Sequence, residues 1–471
     1  MGDTAEQEIV RREVSDLVHR ARTAQEAIAR YTQEQVDDLC AAVAWAVARP
    51  ERAEALAKLA VDEGHFGNHE DKVTKIKKRV LGVLADMRSV RTVGIVEEDP
   101  ERGLVKIAKP VGVVAALIPT TGPDATPPVK ALLALKGRNA IVLAPHPRTT
   151  ETTGAVVAHL REACAVVGAP ADLVQMLPRP SIAATQELMR QADLVVATGG
   201  ASMVRAAYSS GTPAYGVGVG NAVHVVDETA DLGDAAAAVA AGKTFDHATS
   251  CLADNAVVAH DSVYAELRDG LVAQGGYLCG PEEKAALQRR MWPDGGPVPT
   301  PDVIAKSAPT IAGLAGFTIP PDRTFLIVEE DGTGPGHPFS GEKLSVVLAL
   351  YRYGGTIAGA VDLVNAITSY QGLGHTCGIH TSRDDHVDAL ADGTRTARVL
   401  VNQNLNEGAG SPRNGMPFTL SLSCGTWGGN ITTENINARH FVNLTWVSRP
   451  IAPHPVGEDE LFAGYWERHG R

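Results

Sequence analysis

The sequence predicts an α/β protein built on parallel sheets, with helices at its start and a short arm at its end. Three observations support this prediction. Apolar residues recur at helical spacing through the first ninety positions. From Val111 onward, apolar runs of strand length alternate with helical stretches, which is typical of parallel sheets covered by helices. The chain has 471 residues, enough for two or three domains.

The N-terminal region is predicted to consist of helices that end in a β-hairpin. Val36, Leu39, Cys40 and Val43 lie at helical spacing. The stretch TVGIVEEDPERGLVKIAKP then shows two short alternating runs on either side of turn residues near 99–103. We therefore expect two antiparallel strands there.

Two α/β regions and an arm follow. Strand-like runs in the first region include VGVVAALIP, NAIVLAP and DLVVATGG, and those in the second include ADNAVVA, FLIVEE, LSVVLALYRY and CGIHTS. The last forty residues contain FVNLTWVSRPI and a polar tail, which favours an arm for subunit contact.

Composition and charge exclude several classes of protein. The formal net charge is -12, and an acidic protein repels the phosphate backbone of nucleic acids. The charged start lacks the apolar segment of a secretory signal, and no apolar run approaches the roughly 20 residues that span a bilayer. The six cysteines form no CxxC pair. We expect a cytoplasmic protein with no nucleic-acid or membrane partner and no metal site.

One cysteine differs from the others in its setting. Cys251 lies on a polar connection between a small-residue helix and a strand that begins near Asn255, and functional groups concentrate on such connections. Free cysteines are usually buried and inert, and the apolar helical neighbours of Cys40 fit that description. Cys251 is therefore a candidate nucleophile, with Cys424 as the alternative.

Polar residues and glycines follow several predicted strands. Ligands of parallel sheets bind at the carboxyl ends of the strands. The residues at three such ends are Pro119, Thr120 and Thr121, then His146, Pro147 and Arg148, then Thr198, Gly199 and Gly200. Glycines before a helix let the backbone approach a phosphate, although a Gly-Gly pair by itself is most often a plain turn.

Seven segments, in order, resemble the CoA-acylating branch of the aldehyde dehydrogenase superfamily. They are IPTTGPDATP, KALLALKGRNAIVLAPHPR, ATGGASMVRAAYSSGTPAYGVGVGN, KTFDHATSCLADNAVV, HPFSGEKLSVVLALY, GLGHTCGIHT and TLSLSCGTWGGN. The resemblance covers roughly residues 5–440 and implies an aldehyde dehydrogenase-like fold. It implies a Rossmann-type cofactor domain with the N-terminal helices in residues 1–238, including an oligomerisation hairpin at about 92–110. It further implies a catalytic domain in 239–430 and a C-terminal oligomerisation arm in 431–471. The protein is expected to form a homodimer or homotetramer.

The resemblance also implies roles for individual residues. Cys251 would attack the aldehyde, and Thr121 is a weaker candidate for stabilising the oxyanion beside the backbone N–H of Cys251. The cofactor-binding residues would be Pro119, Thr120, His146, Pro147, Arg148, Thr198, Gly199, Gly200, Gly218 and Glu342. An acidic residue that often binds the ribose of NAD is missing after the strand that precedes His146. The cofactor is therefore predicted to be NAD or NADP.

A glycine bears on the fate of the acyl group. Gly216 falls where hydrolytic members of the superfamily carry a glutamate that activates water. A thiol needs less help from a base than water does, so coenzyme A is the predicted co-substrate. A hydrolytic dehydrogenase is the alternative, and Gly216 could also simply belong to a tight strand entry.

The aldehyde is predicted from the region before TLSLSCGTWGGN. The stretch NGMPFTLSL resembles the subgroup that acts on sulfoacetaldehyde. An anionic substrate needs neutral donors and a cation, which Asn404, Arg413 and Asn414 could supply. The alternatives are acetaldehyde or another short aldehyde, with Arg413 on a surface loop.

Three further interpretations are weaker. The segment at 336–345 nearly matches a P-loop, but Glu342 displaces the lysine by one place. His65 and His69 lie four residues apart, but glycines interrupt the helix that would present both to a metal. A non-catalytic nucleotide-binding subunit is the third, and an intact Cys251 argues against it.

Overall fold

Four helices begin the chain in the computed structural model, which describes the backbone of residues 2–471 and the side chains from residue 6 onward. They are α1 (Gly2–Ala27), α2 (Gln33–Ala48), α3 (Pro50–Gly64) and α4 (His69–Met87). Thr32 and Asn68 cap α2 and α4 with their side chains. The predicted helical N-terminal region is therefore confirmed. In the described part of the chain, no helix combines the length and apolarity needed to cross a bilayer.

An antiparallel sheet of three strands joins the hairpin to the C-terminal arm. Strands β1 (Gly94–Asp99) and β2 (Leu104–Pro110) pair antiparallel, as predicted. The late strand β15 (Val442–Ser448) pairs with the other edge of β2. The arm continues into the exposed helix α15 (Glu458–His469).

A parallel five-stranded sheet follows the hairpin. Its strands are β3 (Val113–Leu117), β4 (Ala140–Ala144), β5 (Val174–Met176), β6 (Leu194–Thr198) and β7 (Ala214–Val217), in the order β5-β4-β3-β6-β7. The helices between them are α5 (Thr126–Lys136), α6 (Thr150–Val166), α7 (Ile182–Gln191) and α8 (Ala201–Tyr208). The strand order runs outward from β3 to β5 on one side and from β6 to β7 on the other, so a topological switch point lies between β3 and β6. Ligands bind at such points, in the crevice at the carboxyl ends of the strands.

A second parallel sheet has seven strands. They are β8 (Ala222–Val226), β9 (Asp254–His260), β10 (Gly276–Leu278), β11 (Phe325–Glu329), β12 (Val347–Tyr353), β13 (Cys377–His380) and β14 (Val399–Val401), in the order β10-β11-β12-β9-β8-β13-β14. The helices are α9 (Leu232–Thr244), α10 (Tyr264–Ala273), α11 (Pro281–Met291), α12 (Ala308–Ala315), α13 (Ile357–Tyr370) and α14 (Asp384–Gly393). The two parallel sheets confirm the predicted α/β class.

The two cores do not divide the chain at the predicted positions. The boundary expected after residue 238 lies inside α9, whereas the chain passes from one sheet to the other between β7 and β8. Val223 and Val225 of β8 pack in the core of the seven-stranded sheet. Phe418 and Phe441, near the end of the chain, pack in the core of the five-stranded sheet. An apolar run reveals a buried strand but not which sheet it joins, so this boundary needed the structure.

Candidate active site

A cavity of about 470 Å³ lies at the carboxyl ends of the five-stranded sheet, facing the segment that carries Cys251. The predicted residues that line it are Pro119, Thr120, Thr121, His146, Arg148, Thr198, Gly199, Gly200, Gly218, Cys251 and Glu342. Tertiary structure therefore brings together side chains from loops more than 200 positions apart in the sequence. Pro147 is not part of the lining.

The predicted cofactor end of the cavity has an open helix N-terminus. Gly200 precedes α8 and provides no side-chain cap. A Cβ built at Gly200 meets nothing within 4 Å, so space remains in front of the first amides of α8. Unpaired amides at a helix N-terminus attract anions such as a pyrophosphate. His146 and Arg148 line the same cavity, and the Nδ1 of His146 accepts from the backbone N–H of Arg148 at 3.2 Å.

Among the described cysteines, Cys251 is the one that is partly exposed. The other cysteines, Cys40, Cys164, Cys279, Cys377 and Cys424, are buried. The alternative nucleophile, Cys424, lies behind Gly218: a Cβ at Gly218 would stand 3.1 Å from the Sγ of Cys424. Cys424 does not line the cavity. A small molecule in the cavity could therefore reach Cys251 but not Cys424.

The backbone just before Cys251 is strained. Asp246, His247 and Ala248 have φ angles of 49°, 49° and 61°, in the left-handed region that L-residues seldom adopt. A side chain at Gly67 would place its Cβ 1.8 Å from the Oδ1 of Asp246, so this close approach requires glycine. Strain of this kind persists only where surrounding contacts hold it.

Helix α4 provides those contacts. The Nζ atoms of Lys72 and Lys75 lie 3.2 Å and 3.1 Å from the Oδ2 of Asp246, which is fully buried. Lys75 also donates to the hydroxyl of Thr249 at 3.1 Å. Burial raises the pKa of Asp246, but Lys75 and Lys72 outweigh it, and the net pKa lies below its usual value. The segment before Cys251 is thus anchored to α4 by a buried ionic network.

The thiol and the carboxylate in the cavity influence each other. Burial, and then the carboxylate of Glu342, raise the pKa of Cys251 to about 12, while Arg398 and the backbone N–H of Cys251 itself lower it. Burial raises the pKa of Glu342 to about 7 against the hydrogen bond from the backbone N–H of Gly220, at 2.9 Å. Among the lining residues that the structure describes, Glu342 is the only one with a carboxylate.

The glycine-rich stretch after β6 places two glycines in different surroundings. A Cβ at Gly216 would stand 2.6 Å from Val204 and 2.7 Å from the ring of Tyr208, both on α8. The side chain of a residue at 216 would therefore point towards α8, and this geometry gives no support to a base at that position acting beside Cys251. At Gly220, a Cβ would stand 2.5 Å from the Oε1 of Glu342 and 2.7 Å from the Cβ of Cys251. Gly220 is the glycine that allows these two residues to approach each other.

The predicted substrate residues lie outside the cavity. The Oδ1 of Asn404 accepts from the backbone N–H of Asn406 at 2.8 Å. Asn414 donates to the Oε1 of Gln403 at 2.7 Å, and the side chain of Arg413 is exposed. None of the three lines the cavity, so their assignment to the substrate is not supported. Residues of this stretch instead fold into turns that satisfy each other's polar groups.

The sequence analysis missed the residues of α4. Lys75 and Arg79 line the cavity although the helix is distant in sequence from every segment that carries the resemblance. A signal was present, because Lys72, Lys75 and Arg79 occupy one helix face at spacings of three and four residues. All three side chains are buried, which is unusual for basic residues on a helix and typical of paired or functional ones.

The near match to a P-loop has a structural explanation. Lys343 is fully buried, and its Nζ donates to the backbone oxygens of Phe339 at 2.6 Å and of Gly341 at 3.1 Å. Its terminal nitrogen therefore holds its own loop together and is not directed at a phosphate.

Comparison with known proteins agrees with this architecture. Residues 5–278 match the model of the Aldehyde dehydrogenase family. The chain is 43% identical to an acylating sulfoacetaldehyde dehydrogenase of Bilophila wadsworthia, covering 97% of this chain and 99% of the relative. It is 46% identical to an acylating sulfoacetaldehyde dehydrogenase of Cupriavidus necator, covering 97% of this chain and 93% of the relative. An acetylating aldehyde dehydrogenase of Geobacillus thermoglucosidasius superimposes with a TM-score of 0.91 at 36% identity, covering 96% of this chain and 99% of that one. On its fold, its cysteine-bearing cavity and these similarities, the chain belongs to the aldehyde dehydrogenase family.

Proposed function

We propose that the protein oxidises sulfoacetaldehyde to sulfoacetyl-CoA, reversibly, with NAD+ or NADP+ as the hydride acceptor and coenzyme A as the acyl acceptor. The observation that carries the acylating part is the composition of the cavity around Cys251. It contains a reachable thiol and one carboxylate, and that carboxylate is engaged by the backbone N–H of Gly220. The named activity of the relatives at 43–46% identity supports the aldehyde.

The cofactor fits the open end of the cavity. The pyrophosphate would lie at the N-terminus of α8 beyond Gly200, with His146 and Arg148 beside the adenosine ribose and Glu342 at the nicotinamide ribose. Bound there, the nicotinamide supplies the hydride acceptor. The lack of an acidic residue after β4 leaves room for the 2′-phosphate of NADP, and a structural relative at 25% identity, an engineered glycolyl-CoA reductase, binds NADP+.

Cys251 is the nucleophile of this mechanism. Its thiolate adds to the aldehyde carbon and forms a thiohemiacetal; loss of hydride then leaves a thioester on Sγ. The backbone N–H of Cys251 donates to no other residue among those that the structure describes, and we assign it to the oxyanion. Thr121 lines the same part of the cavity and is the second candidate donor.

The thioester is resolved by a thiol because the cavity has no free carboxylate to activate water. Val217, Gly218 and Gly220 bear no ionisable group. The carboxylate of Glu342 accepts a hydrogen bond from the backbone N–H of Gly220, and we assign it to the nicotinamide ribose. The thiol of coenzyme A has a far lower pKa than water, so it needs less activation by a general base.

The proposal extends to the state of the protein in the cell. We expect it to work in the cytoplasm as a homodimer or homotetramer. The three-stranded sheet exposes the apolar side chains of Leu444 and Trp446 on one face and of Ile95 on the other, which a subunit contact would cover. Acetaldehyde or another short aldehyde remains the second candidate substrate, since the bifunctional aldehyde-alcohol dehydrogenase of Escherichia coli is 38% identical over 93% of this chain.

A single spectrophotometric assay tests the proposal. Enzyme, sulfoacetaldehyde and NAD(P)+ should give at most one turnover of reduced cofactor per active site, and addition of coenzyme A should start steady turnover. Cys251→Ala should abolish both phases, whereas Cys424→Ala should retain them. Steady turnover without coenzyme A would contradict the acylating mechanism, and activity in Cys251→Ala would exclude this nucleophile. Parallel runs with acetaldehyde and succinate semialdehyde rank the substrates.

A further inference from the structure

Two cations of α4 line the cavity near Cys251, and they differ in how they are paired. The Nζ of Lys75 donates to the carboxylate of Asp246 at 3.1 Å, to the hydroxyl of Thr249 at 3.1 Å and to the backbone oxygen of Thr121 at 3.5 Å. All three N–H groups of Lys75 are therefore used, and its charge is matched by a carboxylate. Lys75 has no donor left for a substrate.

Arg79 has no such partner. Its Nη1 donates to the backbone oxygens of Ala409 and Gly410, both at 2.9 Å, and its Nη2 donates to that of Asn406 at 3.0 Å. Within the described residues, its Nε–H and one Nη2–H make no hydrogen bond. The neighbouring carboxylate of Glu407 is instead paired with Lys78 at 2.9 Å.

A buried cation that is hydrogen-bonded only to neutral groups is unfavourable unless something else matches its charge, and the nearby carboxylate of Glu407 is shared with Lys78. Arg79 is only 6% exposed, and three carbonyls fix the plane of its guanidinium group beside the cavity. Burial lowers the pKa of Arg79 to about 10 against the nearby carboxylate of Glu407, so Arg79 remains charged at neutral pH. A rigid guanidinium with spare donors is well suited to an anion with two or more oxygens, such as a sulfonate or a carboxylate.

We propose that Arg79 binds the anionic group of the aldehyde and is the residue that makes the enzyme specific for an anionic short aldehyde. The inference rests on the proposed function, because it concerns the same cavity and names the sulfonate of sulfoacetaldehyde as the ligand. It replaces Arg413, whose exposed side chain does not line the cavity. A site built around a buried cation also rejects neutral aldehydes, which leave that cation unpaired.

The kinetic test compares a charged and a neutral substrate of similar size. Arg79→Met should lower kcat/KM for sulfoacetaldehyde by roughly 100-fold, mainly through KM, as expected for loss of charged hydrogen bonds. For propionaldehyde, kcat/KM should change by less than about threefold or rise. Arg79→Lys keeps the charge, and its kcat/KM for sulfoacetaldehyde should lie between those of the wild type and Arg79→Met. Lys77→Met, which removes a cation of α4 that does not line the cavity and makes no ion pair among the described residues, is the matched control and should behave like the wild type.

Equal losses on both aldehydes would overturn the inference, because Arg79 would then only hold the backbone at 406–410. A binding experiment separates this result from failure of the proposed function. Ethanesulfonate should protect Cys251 from iodoacetamide in the wild type and not in Arg79→Met, whether or not sulfoacetaldehyde is turned over. Equal protection in both proteins, or protection in neither, would also overturn it. If ethanesulfonate protects Cys251 only when Arg79 is present, but the enzyme does not turn over sulfoacetaldehyde, the proposed substrate is refuted and the anion site is supported.

Discussion

Replacement of Asp246 by asparagine tests whether the buried network anchors the segment before Cys251. The substitution keeps the size of the side chain but removes the charge opposite Lys72 and Lys75, whose side chains are 1% and 9% exposed. Loss of one partner from a buried ion pair costs about 3–5 kcal/mol, because the other charge stays buried. At an unfolding entropy of about 2.1 cal/mol/K per residue, the 471-residue chain changes stability by about 1 kcal/mol per degree. The expected fall in apparent Tm is therefore about 3–5 °C if the chain unfolds as one unit.

The assay is thermal unfolding across a pH series, with Asp62→Asn as the control. Asp62 pairs with Lys58 on the surface, where the side chains are 59% and 71% exposed, and its loss should cost less than about 1 kcal/mol. The pKa of Asp246 is lowered in the folded protein, so its contribution is present above the unfolded pKa of about 4 and is lost as pH falls through the lower folded value. The difference in Tm between Asp246→Asn and the wild type should thus stay constant between pH 6 and 9 and become smaller at acidic pH. A Tm within 1 °C of wild type together with full activity would refute the anchoring role.

Two further predictions concern the ionisable groups of the cavity. Glu342→Gln should speed the alkylation of Cys251 by iodoacetamide at pH 8 in the absence of cofactor. The carboxylate of Glu342 raises the pKa of the thiol, so its replacement by an amide increases the thiolate fraction. Slower alkylation would indicate that Glu342 instead accepts the proton of the Cys251 thiol. Arg148→Ala should raise the KM for NADP+ more than the KM for NAD+, because we place the 2′-phosphate of NADP beside this cation after β4. Both KM values are measured with saturating aldehyde and coenzyme A. Equal changes for the two cofactors would argue against that placement.

The main elements of the fold were predictable because local patterns determine them. The hairpin around residue 101 follows from alternation on both sides of turn residues, and the structure has it at β1 and β2. The position of Cys251 on a connection before β9 follows from the change from helical to strand patterning. The glycines before α8 were recognised from their place after a strand and before a helix.

Other features depend on distant parts of the chain and could not be predicted. Arg79 was overlooked because its partners are the backbone oxygens of residues 406–410, more than 300 positions away. Arg413 was chosen for its charge, although its loop turns that charge to solvent. The direction of a side chain at 216, towards Val204 and Tyr208 of α8, also depends on a helix that packs on the strand.

By itself, the sequence determined the α/β class and the family and singled out Cys251 as the candidate nucleophile, since these follow from periodicity and from ordered local motifs. Tertiary structure alone decided that β8 joins the second sheet, that Gly220 allows Cys251 and Glu342 to approach each other, and that α4 contributes the cations. The physical reason is that a cavity forms where segments distant in sequence pack together. The charge and hydrogen-bond partners of a buried group are set by those neighbours, which no local pattern specifies.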